Sequence, residues 1–226
     1  MIDIAQCSTA MKEVFEVWCS NLTDLGFRQF PDDGAIKLCS PPISTPFVRK
    51  LTLVLRGTSH PEPERLANVI FASLTCPSLT SLFIEDVGGY KHMWPRDVVN
   101  DFISRSSFSL TTLSIMFIPL LDSHLIDLLH RLPSLLHLTI NDSDVDAPSP
   151  ITPRFIESLH AFYCANSVTL SSTLMKGLQS LSLTFTGEDF DDRLFVDMVS
   201  SRWFPPSYAD GLDSRGQFRS VATYFK

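Results

Sequence analysis

Apolar residues recur along the chain at i, i+3 and i+5: Val48/Leu51/Leu53, Leu79/Leu82/Ile84, Leu110/Leu113/Ile115, Leu135/Leu138/Ile140 and Leu178/Leu181/Leu183. The stretches that carry them are FVRKLTL (47–53), CPSLTSLFI (76–84), FSLTTLSI (108–115), LPSLLHLTI (132–140) and GLQSLSL (177–183). A degraded copy, Phe218/Val221/Thr223, lies in QFRSVAT (217–223). Two side chains separated by one residue leave a strand on the same side. The i+3 to i+5 step therefore predicts a short strand with one greasy face, and the first apolar residue falls on the turn leading into it. Central positions are separated by 31, 31, 25, 43 and 40 residues, periods typical of solenoids with irregular units and insertions.

Between the strands the period turns helical. PEPERLANVIFASL places Leu66, Val69, Ile70 and Leu74 on one face; WPRDVVNDFISR begins with Pro95, suited to a first helical turn, and points Val98, Phe102 and Ile103 inward. SHLIDLLHRL carries Leu125, Leu128, Leu129 and Leu132. TPRFIESLHAFY opens with an N-cap and N1 pair, Thr152-Pro153, and buries Phe155, Ile156, Leu159 and Phe162. DDRLFVDMVSSRWF starts with acids at its positive dipole end and presents Leu194, Phe195, Met198 and Val199. Pro77 and Pro133 each stop a helix ahead of the next strand.

Alternating strands and helices fit two architectures, a doubly wound α/β domain or a solenoid. A doubly wound sheet is buried on both faces, so its strands read as continuous apolar runs. Here the outward positions are Lys50, Thr52, Val54; Ser81, Phe83, Glu85; Thr112, Ser114, Met116; His137, Thr139, Asn141; Ser180, Ser182, Thr184; and Ser220, Ala222, Tyr224. Half are Ser or Thr, which suit a strand with one wet face. The expected fold is α/β: a solenoid with a curved parallel sheet on its concave side, helices on its convex side and about six irregular repeats over 47–226. Residues 1–46 are expected to be a helical cap followed by a Pro/Ser-rich loop. The cap would come from STAMKEVFEVWCSNLTDLGF, where Met11, Val14, Phe15, Trp18 and Leu22 stand at helical spacing, and the loop from PDDGAIKLCSPPISTP.

Composition narrows the function more than the fold. A formal charge of −7, with scattered Lys and Arg, argues against nucleic acid and anionic membrane as partners. Cys7, Cys19, Cys39, Cys76 and Cys164 are odd in number, far apart and without CxxC spacing, so thiols in a reducing compartment are expected, cytoplasmic or nuclear. The N-terminus lacks a signal-peptide pattern, and SIMFIPLLDSHLIDLLHRL is interrupted by Asp122, His124, Asp127 and His130, so no membrane span is predicted. His124, His130 and His137 have no metal-ligand spacing. NDSDVDAP (141–148) begins like a calcium loop but has Ala147 and Pro153 where the EF-hand pattern needs Gly at the sixth and Glu at the twelfth ligand-loop positions. There is no GxSxG elbow. The expectation is a chain without enzyme activity, metal or cofactor; a site in the 141–152 or 204–217 loops is the enzymatic alternative.

The LxxLxL phrases, each followed by a helix, resemble leucine-rich repeats. CPSLTSLFI, LPSLLHLTI and GLQSLSLTFTGEDFDDRLFVDMVSSRW resemble the C-terminal region of F-box proteins from mushroom-forming fungi. The likeness covers about residues 47–226 and is best over 132–203. It implies a non-catalytic module that captures a protein for a cullin-based ubiquitin ligase, with an F-box docking a Skp-type adaptor. Two departures stand out. The Asn or Cys that a standard repeat places three positions beyond LxL is replaced by Arg56, Val87, Ile118, Ser143 and Thr186, and no Leu-Pro-x-Glu phrase opens residues 1–46, so an F-box would lie upstream or be diverged. The alternative is a ligase-independent scaffold. In either case the ligand is a protein of unknown identity, and the expected partner-binding residues are Phe83, Glu85, Met116, His137 and Asn141, with Phe83 and Met116 apolar where water is expected.

Overall fold

A computed structural model describes residues 22–29, 42–57, 66–88, 94–143, 145, 147–161, 174–186, 190–203 and 218–225. The chain divides into two compact units, Met1–Pro119 and Leu120–Lys226. In the first, strands β1 (Asp24–Arg28), β3 (Lys50–Leu55), β5 (Ser81–Asp86) and β6 (Thr112–Met116) lie parallel in the order β1-β3-β5-β6. Two short strands, β2 (Ile43–Ser44) and β4 (Leu74–Thr75), pair in parallel separately, and helices α1 (Leu66–Ser73) and α2 (Arg96–Ser106) complete the unit. The second unit has parallel strands β7 (His137–Asn141), β8 (Ser180–Phe185) and β9 (Ser220–Phe225) in that order, with helices α3 (Asp122–His130), α4 (Pro153–Ser158) and α5 (Asp192–Trp203). The protein is thus α/β, with parallel strands flanked by helices.

Register follows the apolar phrase. Leu25, Leu51, Leu82 and Leu113 stand side by side, as do Phe27, Leu53, Ile84 and Ile115, and all eight are buried. Leu138 and Leu181, and Ile140 and Leu183, do the same in the second unit, where the degraded copy contributes half-buried Val221 and Thr223. Burying each such side chain stabilises the fold by about 1.5–3 kcal/mol. The alternate positions are mostly half-buried or exposed, the pattern of strands with one face in water. Val54 and Ser114, which the alternation assigns to that face, are nevertheless buried.

Each strand is entered by the same device. The carbonyl of Thr23 accepts the N–H groups of Arg49 and Lys50 at 2.7 and 3.0 Å; that of Arg49 accepts Thr80 and Ser81 at 2.8 and 2.9 Å; that of Thr80 accepts Thr111 and Thr112 at 2.9 and 3.0 Å. In the second unit the Leu136 carbonyl takes Gln179 and Ser180 at 2.8 and 2.9 Å, and that of Gln179 takes Arg219 and Ser220 at 2.7 and 3.1 Å. The Pro-Ser turns ahead of these points close by N–H to carbonyl bonds from Leu79 to Cys76 (3.2 Å) and Leu135 to Leu132 (3.1 Å). Repetition of phrase becomes repetition of hydrogen bonds.

The first of these anchors lies within the segment expected to form cap and loop. Residues 24–28 are a strand, because Leu22, Leu25 and Phe27 repeat the i, i+3, i+5 spacing and Leu25 and Phe27 complete the buried rows. Leu22 satisfies both periods, which is why the helical reading ran on through it. Met11, Val14, Phe15 and Trp18 lie outside the described residues.

Helix phases agree with the pattern at Leu66, Val69 and Ile70 in α1, which is buried nearly all round, and at the leucines of α3. In α2 the buried residues are Val99, Phe102 and Ser106, while Val98 and Ile103 are half-buried, a small rotation from the expected face. Phe102 explains it: its ring lies 5.2 Å from Phe71 on α1 and 5.4 Å from Phe108, so aromatic packing sets the helix's rotation. Phe155, Ile156 and Leu159 are buried as expected, and the Thr152 hydroxyl caps α4 by accepting the Phe155 N–H at 3.2 Å. Phe162 lies outside the described residues. In α5 only Met198 of the expected face is fully buried, joined by Arg202.

Two arginines satisfy helix ends that would otherwise leave orphan carbonyls. Arg105, on α2, donates to the carbonyls of Phe71 and Leu74 at 2.6 and 2.8 Å and to the Thr75 hydroxyl at 3.2 Å, closing the end of α1. Arg202, on α5, donates to the carbonyls of Leu159 at the end of α4, of Leu174 at 2.7 Å and of Met175 at 3.0 Å. Burial pushes its guanidinium down to about 10, so it remains charged at neutral pH. Neither the spacing nor the polarity of SSRW marks this residue as internal.

Candidate protein-recognition face

The outward face of the first unit is built by strand alternation. Phe83 stands between Thr52 on β3 and Ser114 on β6; Glu85 stands between Val54 and Met116. Adjacent parallel strands are about 4.8 Å apart, so Phe83, Glu85 and Met116 form one contiguous set of half-buried side chains. The Lys50 ammonium lies over the Phe83 ring, 4.9 Å from its centroid, a contact worth about 0.5–1 kcal/mol at an exposed site. That contact orients a cation beside an aromatic ring and a carboxylate. Lys50 was legible as an outward residue but had no reason, in sequence, to be grouped with Phe83, which is 33 positions away.

His137 and Asn141 belong to the second unit and form their own group. His137 is exposed and stands beside Ser180; Asn141 is half-buried beside Thr184. The Asn141 side-chain oxygen accepts from the Ser143 N–H at 3.1 Å and hydroxyl at 2.9 Å, fixing the exit of β7. The Thr186 hydroxyl donates to the Ser143 carbonyl at 3.2 Å. Two of the positions where leucine-rich repeats carry Asn or Cys are therefore bridged by a hydroxyl, a rung that the residue types alone did not reveal.

The buried polar groups behind these faces have structural partners. The Cys76 thiol lies 3.1 Å from the Thr45 hydroxyl, and burial pushes it up to about 11, against the opposing effects of that bond and of Arg105. It is a neutral thiol at physiological pH, not a nucleophile. Cys7, Cys19, Cys39 and Cys164 lie outside the described residues. His160 Nε2 is 3.4 Å from Asp197 Oδ2, with Ser201 one turn on from Asp197. The Ser201 hydroxyl, however, donates to the Met198 carbonyl at 2.6 Å and accepts from the Ala161 N–H at 3.1 Å, so its proton is committed to backbone and the three groups make no relay. Among the described residues no group of three His, Cys, Asp or Glu could hold a metal ion, and no helix is long and apolar enough to cross a membrane. The 204–217 loop lies outside the described residues.

Comparison of the chain with protein-family models, with curated proteins and with solved structures finds no match.

Proposed function

We propose that this chain is a leucine-rich-repeat-like module that binds another protein on the outward face of its strands and carries no catalytic centre of its own. The observation that carries the reading is the contiguous set Phe83, Glu85 and Met116 with Lys50 stacked on the ring, on strands whose opposite side chains are fully buried. Apolar groups held among Ser and Thr on a wet sheet face are the usual anchors of protein recognition, and truncating such anchors costs more than removing the polar rim. The repeated carbonyl anchors at strand entry further support the repeat reading. The resemblance to fungal F-box proteins extends the proposal: the bound protein would be a substrate held for ubiquitin transfer by proximity, with residues upstream docking a Skp-type adaptor.

The test compares the wild-type chain with the double variant Phe83→Ser, Met116→Ser. A partner captured by the wild type should bind the variant about tenfold or more weakly, while circular dichroism reports an unchanged fold. Equal affinity for a folded double variant would refute the face. Co-purification with a Skp-type adaptor then separates a ligase component from a free-standing scaffold.

A further inference from the structure

The connection from β7 to α4 carries two dipeptides three residues apart, Ser149-Pro150 and Thr152-Pro153, followed by Arg154. Both hydroxyls are bonded to carboxylates: Ser149 to Asp142, and Thr152 Oγ1 to Asp122 Oδ2 at 3.0 Å. Their situations differ. Thr152 also caps α4, so its oxygen is engaged as donor and acceptor in a helix start. Ser149 is half-buried in irregular chain next to exposed Ala147 and Pro148, and its oxygen accepts the Ile151 N–H at 3.1 Å.

Asp142, the partner of Ser149, is 5% exposed, and its Oδ1 has no hydrogen-bond partner. Burial pushes its carboxyl up from 3.8, opposed by the Ser149 hydroxyl. The serine proton therefore helps hold an ill-solvated acid in place, and the connection is seated on that bond. Asn141, beside Asp142, is tied to Ser143 at the beginning of the same connection.

We propose that Ser149 is a phosphoacceptor for a proline-directed protein kinase, and that its phosphorylation unseats the β7–α4 connection. In the transfer Ser149 Oγ bonds to the γ-phosphorus of a magnesium nucleoside triphosphate, the bond from that phosphorus to the bridging oxygen breaks, the nucleoside diphosphate departs, and the hydroxyl proton passes to the kinase's base. A hydrogen-bond donor becomes a phosphate with a charge of about −1.5 to −2 at neutral pH. It can no longer donate to Asp142 and repels it. Pro150 is buried, so the kinase reads the dipeptide in a locally opened connection, and the phosphate then prevents reclosure. Opening also releases the Ser143 bonds that hold Asn141, which links the modification to the outward face of the second unit. This inference does not depend on the protein-recognition proposal.

The experiment treats the native full chain with a purified proline-directed serine/threonine kinase and magnesium ATP, maps phosphate by mass spectrometry, and follows hydrogen exchange. The expected result is phosphate on Ser149 and exchange about tenfold or more faster across the β7–α4 connection, the scale of one lost charge-assisted hydrogen bond, with β8 unchanged. Ser149→Ala should abolish both effects. Asp142→Asn should accept phosphate with a smaller change in exchange, because the repulsion is gone. Absence of phosphate on Ser149 of the native chain, whether or not a synthetic 145–156 peptide is modified, overturns the assignment. Phosphate that leaves exchange unaltered overturns the switch.

Discussion

Arg202 offers the most discriminating test of how the second unit is held together. Replacing it by Met keeps much of the side-chain volume and its apolar stem but removes the donors to Leu159, Leu174 and Met175. Each buried carbonyl left without a donor costs about 1–3 kcal/mol, so three cost about 3–9 kcal/mol. Relief comes from no longer burying a cation: a guanidinium lowered from 12.5 to about 10 carries a burial penalty of about 3 kcal/mol. Loss of the contact with the Phe218 ring, 5.3 Å from the guanidinium carbon, adds a fraction of a kcal/mol. The net expectation is destabilisation of about 3 kcal/mol. Urea unfolding followed by circular dichroism measures it, with the fluorescence of neighbouring Trp203 as a local probe. A folded-state value of about 10 lies below the unfolded one, so the burial penalty is present in full below pH 10 and is relieved only as the pH rises through it. The gap between wild type and variant should therefore be flat from pH 6 to 9. A midpoint that does not move, or a gap that follows pH in that range, would refute the reasoning.

Asp142→Asn should stabilise the protein at pH 7. Because burial raises the folded-state value of this acid, its penalty exists above that value and vanishes as the pH falls below 3.8, so denaturation curves of the two proteins should converge near pH 3. Cys76 should resist alkylation in the folded protein at pH 8 and react readily in denaturant, as read from its peptide by mass spectrometry; rapid native labelling would contradict its placement against Thr45. Phe27→Ala should lose about 3–5 kcal/mol, the cost of emptying a core site, measured by chemical denaturation, whereas a surface position on a capping helix would lose little.

The strands were legible because a period of two with leucines at fixed offsets has few other physical meanings, and the structure places the buried rows as the spacing implies. The same rule also covered Leu22, Leu25 and Phe27, where a helical period overlaps the strand period for part of the run. What the pattern could not carry is burial decided by neighbours far away in sequence. Val54 and Ser114 alternate outward yet are covered, and Val99 displaces Val98 on α2 because Phe71 and Phe108 grip Phe102. Of the candidate face, the residues and their sidedness were readable, while the Lys50–Phe83 stack depends on strand pairing. Arg105 and Arg202 are polar by composition and internal by geometry, since only the ends of preceding helices give them carbonyls to bind.

One acceptor oxygen serving two amides at every strand entry fixes alignment locally, whatever the length of chain that intervenes. Excursions of 31 residues after Arg49 and 43 after Leu136 arrive at the same arrangement. Segments between these pins are thus free to grow, shrink or acquire regulatory sequence at little cost to alignment, and an entire module could be duplicated or excised with both cut ends still finding their mates. The size of such a protein is then an adjustable quantity, open to recombination and to deliberate engineering alike.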